Sequence, residues 1–254
     1  MPKINTDEQT FFTDSRNKLL KDQPELIELE NLWSKYCFVP LDLPVYDYPE
    51  INKWFWEQST PIRKIEEDIA SRNTGDVNFD GINVYPNGDM TIPDVWTANP
   101  KQEFLGLFPE LLERIMDEFP FKTIPSLKFW SSNKHIHFHR DHSEFTDYPT
   151  SFRIMLSDDN PNQTLKLIET LPNKDPDYSS MFTIPRIPET NSFVWNNLRT
   201  KHGSTYTPEY RKLLLIIGKV KLDIKKYNDL MERSVSKYKD FTLTSIRTST
   251  DYLN

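Results

Sequence analysis

The sequence predicts one α+β domain with a mainly β core, preceded by a helical first third and followed by a C-terminal helix. Three observations carry this. The length of 254 residues suits one large domain at roughly 100–200 residues apiece. Apolar residues recur at helical spacing up to about residue 75 and at strand spacing beyond it. Six glycines against nineteen prolines argue against folds that spend glycine on phosphate loops. The expected organisation is a single domain over 1–254: helical support over 1–75, the β core over 76–222, and a helix with a tail over 223–254.

Taken in order, Asp22-Gln23-Pro24-Glu25 reads as a helix start, with a capping acid, a proline and a first-turn acid. Leu26, Leu29, Leu32 and Trp33 follow at helical spacing. Tyr48-Pro49-Glu50 opens a second, shorter helix through Trp54 and Trp56. Ser59-Thr60-Pro61 opens a third, with Ile62, Ile65 and Ile69 on one face and Asn73-Thr74-Gly75 as its stop. Ile82-Asn83-Val84-Tyr85 is strand-like, and Pro86-Asn87-Gly88-Asp89 is a turn. Phe108-Pro109-Glu110 starts a helix through Leu111, Leu112, Ile115 and Met116. Strands are expected over 127–139, 151–156, 165–169, 192–195 and 211–222, then a helix over 224–238. The tail from Thr242 is polar and reads as mobile.

Composition removes several classes of function. The formal charge is −7, from 31 basic and 38 acidic residues, which argues against a nucleic-acid partner. The single cysteine, Cys37, can form no intramolecular disulfide and supports no cysteine-based zinc site, as a cytoplasmic protein would have it. The first residues are polar and lack the apolar stretch of a signal peptide. The longest apolar run, Leu213 to Gly218, is too short for a membrane span. No Gly-x-Ser-x-Gly, Gly-x-Gly-x-x-Gly or Walker pattern is present.

Four of the five histidines fall within eight residues, in Lys134-His135-Ile136-His137-Phe138-His139-Arg140-Asp141-His142. On a strand, His135, His137, His139 and Asp141 share one face, and Ile136 and Phe138 share the other. This predicts an apolar face on the main core and an imidazole and carboxylate face on a cavity. Histidines in a polar hairpin can be mere surface residues, but this density favours metal ligation.

Two metal chemistries compete. In one, His139 and Asp141 supply two ligands and the distant His202 a third. Two histidines and a carboxylate on one face leave positions open, as in non-heme Fe(II) oxygenases. In the other, His137-x-His139-x-Asp141-His142 matches the signature of metallo-β-lactamase-like hydrolases, with His202 as a downstream ligand. No histidine follows His202, Ser143-Glu144-Phe145 stands where glycines usually follow that motif, and glycine is scarce throughout. A third class is a non-catalytic, cupin-like binding protein.

The series His139-x-Asp141, His202, Arg211 resembles the Fe(II)/2-oxoglutarate-dependent dioxygenases, above all their aspartyl/asparaginyl β-hydroxylase-like and prolyl-hydroxylase-like branches. The resemblance covers roughly 126–222. It implies a double-stranded β-helix (a jelly-roll or cupin-like core) with Fe(II), 2-oxoglutarate as cosubstrate, and O2. It also implies that His139, Asp141 and His202 bind the metal and that Arg211 binds the distal carboxylate of 2-oxoglutarate. Arg211 shares its strand face with Leu213, Leu215 and Ile217, which predicts an inward side chain, and a buried guanidinium calls for an anion. The alternative is a solvated arginine paired with Glu209.

Arg153 is the second cosubstrate candidate, out of phase with Phe152, Ile154 and Leu156. The aspartyl-hydroxylase branch carries a histidine two residues after such an arginine; here that residue is Met155. Trp195-Asn196-Asn197 resembles the family's approach to its distal histidine, although Trp195 also reads as packing. His137 is expected beside the cavity, with Tyr85, Phe129, Trp130 and Tyr148 as aromatic candidates for a substrate wall. Asp141 points to hydroxylation, since halogenating relatives lack the acid. The implied substrate is an amino acid, a peptide, a protein or another small molecule.

Overall fold

This computed structural model describes residues 14, 17–18, 20–51, 53–54, 80–85, 108–132, 136–140, 150–156, 164–171, 174–204, 212–218, 221–245 and 247. Helix α1 (Leu26–Trp33) buries Leu26, Leu29 and Glu30. Leu32 is exposed, because it lies to one side of the stripe formed by residues 26, 29, 30 and 33. No side chain caps α1, and Asp22 belongs to a preceding helical stretch. Residues 49–51 and 53–54 are helical, and Ile51 and Trp54 among them are buried. The helix expected over 59–75 lies outside the described residues.

Eleven described strands follow, all in antiparallel pairs. A seven-stranded sheet runs in the order β11 (Leu243–Thr244), β1 (Tyr36–Pro40), β8 (Ser192–Asn196), β5 (Thr150–Met155), β10 (Lys212–Gly218), β3 (Ser126–Ser132), β2 (Asp80–Tyr85). A four-stranded sheet runs β4 (Ile136–His139), β9 (Thr200–Ser204), β6 (Leu165–Glu169), β7 (Met181–Thr183). From β3 to β10 the chain alternates between sheets, with only β6 and β7 consecutive in one.

Strand alternation decides what each layer buries. Val39, Phe152, Ile154, Val194, Leu215 and Ile217 leave the large sheet toward α1, α2 (Pro109–Glu118) and α3 (Ile224–Lys237). There they meet Leu111, Ile115, Tyr227, Leu230 and Met231. Each fully buried aliphatic or aromatic side chain contributes roughly 1.5–3 kcal/mol. Phe38, Phe193, Trp195 and Leu214 leave the opposite face and meet Leu165 and Leu167 of the small sheet. Helix α3 begins where Asp223 accepts a hydrogen bond from Lys226 N at 3.0 Å. No helix among the described residues is long and apolar enough to cross a membrane.

Three expectations change. The strand predicted over 127–139 is two strands, β3 and β4, one in each sheet. A single straight strand cannot pair in both layers. Strands β1, β7 and β9 were not expected, and β10 ends at Gly218, earlier than predicted. The tail is anchored as far as it is described. Strand β11 pairs with β1, Ser245 N bonds Lys35 O at 2.8 Å, and Arg199 Nη1 reaches Arg247 O at 2.9 Å.

Candidate metal centre

His202 sits in the middle of β9, directly after a tight crossing from the large sheet to the small one. Asn196 builds this crossing. Its carbonyl accepts from Arg199 N at 3.1 Å and from Thr200 Oγ1 at 2.8 Å. Its side chain accepts from Leu198 N at 3.0 Å and donates to Ser34 O at 2.9 Å. The crossing carries the chain from Trp195, on the inner face of the large sheet, to His202 on the small one. The two rings lie 4.8 Å apart, tilted by 33°.

On β4, His139 is the cross-strand partner of His202, with ring centroids 4.3 Å apart. Leu167 on β6 is the partner of His202 on its other side, and Phe182 on β7 is the partner of Leu167. One row across the small sheet thus runs His139, His202, Leu167, Phe182: two imidazoles, then two apolar side chains. His139 is exposed and His202 half-buried.

Phe138 and His139 leave β4 on opposite faces. The predicted destination of the apolar face needs correcting. Phe138 meets Tyr178 edge-on at 5.8 Å, and Tyr178 is 64% exposed, so Phe138 covers the outer side of the small sheet instead of the main core. The imidazoles take the inner side.

Arg153 is fully buried on the inter-sheet face of β5, with its guanidinium carbon 4.7 Å from the Trp195 ring. Its Nη1 donates to Phe152 O at 2.9 Å. A run of contacts therefore links Arg153, Trp195, His202 and His139. Trp195 is held in place by its own N–H, which donates to Asn197 Oδ1 at 2.8 Å.

Asp141, Arg211, His135 and His142 lie outside the described residues, as do the side chains of His137, Tyr85, Phe129 and Trp130 and all of Tyr148. On β10, Leu215 and Ile217 pack toward the helices, and Leu214 packs between the sheets. Arg153, by contrast with Phe152 and Ile154, lies between the sheets.

Arg140 was not singled out from sequence, though it follows His139. It is 1% exposed and donates through Nη2 to Thr170 O, which ties the end of β4 to the end of β6. Arg199 is equally buried and donates to Ser245 Oγ at 3.0 Å. Charged side chains read as surface from sequence, so neither gave a signal.

Among the described residues no three His, Cys, Asp or Glu side chains converge as metal ligands. The histidine pair is still a fitting part of such a site. Two imidazoles on adjacent strands suit Fe(II) or Zn(II), and the exposed side of His139 leaves room for further ligands.

No protein-family model matches the chain, and no curated protein matches it. Solved structures do resemble it. An oxidoreductase of the 2OG-Fe(II) oxygenase family from Burkholderia pseudomallei is 16% identical, over 55% of this chain and 65% of that one, with a TM-score of 0.32. HygX from Streptomyces hygroscopicus, solved with nickel and 2-oxoglutarate bound, is 14% identical, over 75% of this chain and 85% of that one, with a TM-score of 0.37. EvdMO1 is 18% identical, over 73% of this chain, with a TM-score of 0.37. The chain spans about half the length of EvdMO1, 48%, and 65% of the Burkholderia protein. The structures it resembles include 2-oxoglutarate-dependent Fe(II) oxygenases.

Proposed function

We propose that this chain is an Fe(II)- and 2-oxoglutarate-dependent oxygenase built on a double-stranded β-helix. The observation that carries the reading is the cross-strand pair His139 and His202, at 4.3 Å, joined through Trp195 to the buried Arg153. The alternation of strands between two antiparallel sheets supports the β-helix. His139, His202 and Asp141 would hold the metal, with Asp141 two residues beyond His139. When bound, iron with 2-oxoglutarate and O2 supplies oxidation of a substrate C–H bond, with release of succinate and CO2.

The protein's share is orientation. The Asn196 crossing and the Trp195 ring set the plane of the His202 imidazole. Arg140 fastens the strand end beside His139. Arg153 and Arg211 are the candidates for the distal carboxylate of the cosubstrate, which a guanidinium grips in two parallel hydrogen bonds. Burial between the sheets favours Arg153. Hydroxylation of an amino acid, a peptide or another small molecule in the cytoplasm is the activity we assign. The dinuclear hydrolase and the non-catalytic binding protein gain no specific support from this geometry.

The test is succinate release from 2-oxoglutarate with Fe(II), ascorbate and O2, including slow turnover without substrate. Asp141→Ala should abolish it. Two zinc ions per chain and no succinate under any condition would overturn the assignment.

A further inference from the structure

Strand β4 lies at the edge of the small sheet, beside β9. Its register there is irregular. Ile136 pairs with Ser204 and His139 pairs with His202, so three steps along β4 match two along β9. This is a β-bulge with one extra residue on β4. The bulge decides which side chain joins His202. A regular ladder starting from Ile136 and Ser204 would set Phe138 opposite His202 and His139 opposite Lys201. Phe138 would then turn inward and His139 outward, since one step of register exchanges the faces. Hydrophobicity alone favours that arrangement. The observed register therefore needs a hold beyond His139.

Arg140 supplies a hold at that point. It follows β4, is buried, and donates through Nη2 to Thr170 O. Thr170 follows β6, and β9 lies between β4 and β6. The side chain thus reaches across β9, over two strand spacings of about 5 Å each. Thr170 N in turn donates to Arg199 O at 3.0 Å, within the Asn196 crossing that leads to His202. One residue therefore joins the end of β4 to the start of β9. On the outer side Phe138 gains less, because its ring partner Tyr178 is largely exposed.

We propose that Arg140 is a positioning residue: it preserves the bulge in β4 and so holds His139, instead of Phe138, beside His202. The chemical consequence rests on the reading of the two histidines as metal ligands, since a phenyl ring in place of the His139 imidazole removes one ligand. The register itself does not depend on that reading, and its test needs no metal.

Ring-to-ring nuclear Overhauser contacts in the metal-free 254-residue chain test the register. The unsubstituted chain should show His139 against His202 and Phe138 against Tyr178. Arg140→Met should lose the histidine contact and gain one between Phe138 and His202. Deleting His137 as well takes out the extra residue, so a regular ladder then sets His139 opposite His202 and keeps Phe138 outward. That double variant should regain the histidine contact although Arg140 is gone. Parallel titration with Co(II) should show affinity lowered by about 10–100-fold in Arg140→Met and recovered in the double variant. An unchanged histidine contact in Arg140→Met, or a double variant that does not regain it, would overturn the proposal. If Arg140→Met does not fold, the double variant decides: folding with the histidine contact supports the proposal, and failure to fold overturns it. Absence of Co(II) binding in the unsubstituted chain would sink the metal reading and leave the register result standing.

Discussion

The indole of Trp195 and the imidazole of His202 face each other from opposite sheets, 4.8 Å apart and tilted by 33°. Six residues of sequence lie between them, and the Asn196 crossing brings them together. Trp195→Ala should cost about 3–5 kcal/mol, as for other large buried aromatics, and should loosen His202. Trp195→Phe should cost only about 1 kcal/mol, chiefly for the lost hydrogen bond to Asn197. Denaturant unfolding with parallel Co(II) titration separates the stability effect from the effect on metal binding.

His139→Ala and His202→Ala should each remove tight one-to-one binding of Co(II) or Fe(II), and the absorption of bound Co(II) reports it. His139 is exposed, so its substitution should leave the melting temperature nearly unchanged. Full metal affinity in both variants would place the metal elsewhere.

Arg153→Lys and Arg153→Met should each raise the 2-oxoglutarate concentration needed for half-maximal turnover, by about tenfold or more, since an ammonium cannot replace a forked guanidinium. Arg211→Ala, measured alongside, assigns the carboxylate to one arginine or the other. An unchanged requirement in the Arg153 variants would leave that residue a purely structural role over Trp195.

Tyr46 is buried and donates its hydroxyl to Glu118 at 2.5 Å, with the Arg114 guanidinium 4.4 Å from its ring. Burial first, and then the Glu118 carboxylate, hold the phenol well above the usual tyrosine range. The folded chain thus keeps this proton more tightly than the unfolded chain. The resulting stability is complete below roughly pH 10 and drains away as pH rises above it. Tyr46→Phe should destabilise by about 1–3 kcal/mol at neutral pH and flatten that alkaline loss. Urea unfolding at pH 8 and pH 11 checks both.

Cys37 is fully buried, and burial first, then the Glu169 carboxylate, push its thiol up, away from the reactive thiolate. Ellman's reagent should therefore find no thiol in the native chain and one after unfolding in guanidinium. Reaction with the native chain would mean that β1 opens readily.

The sequence was most informative where pattern and burial coincide. Strands β5 and β6 and helix α3 follow from their apolar spacing, and the out-of-phase position of Arg153 foreshadowed its place between the sheets. Strand β9 escaped because Thr200-Lys201-His202-Gly203-Ser204 has no apolar alternation. Pairing with β4 and β6 makes it a strand, and no local propensity does. The same tertiary origin hid the division of 127–139, since nothing in those residues says which sheet each half will join. Spacing indicated that His139 and His202 belong together, but only the register makes them cross-strand neighbours.

The Asn196 crossing has a consequence for how this chain can vary. Between Asn196 and Thr200 lie three residues. Adding or removing one would reverse which side of the small sheet His202 addresses, because side chains alternate with a period of two. Homologues are thus free to change the chemical make-up of that connection while its length stays fixed, and insertions there should be purged more strictly than substitutions.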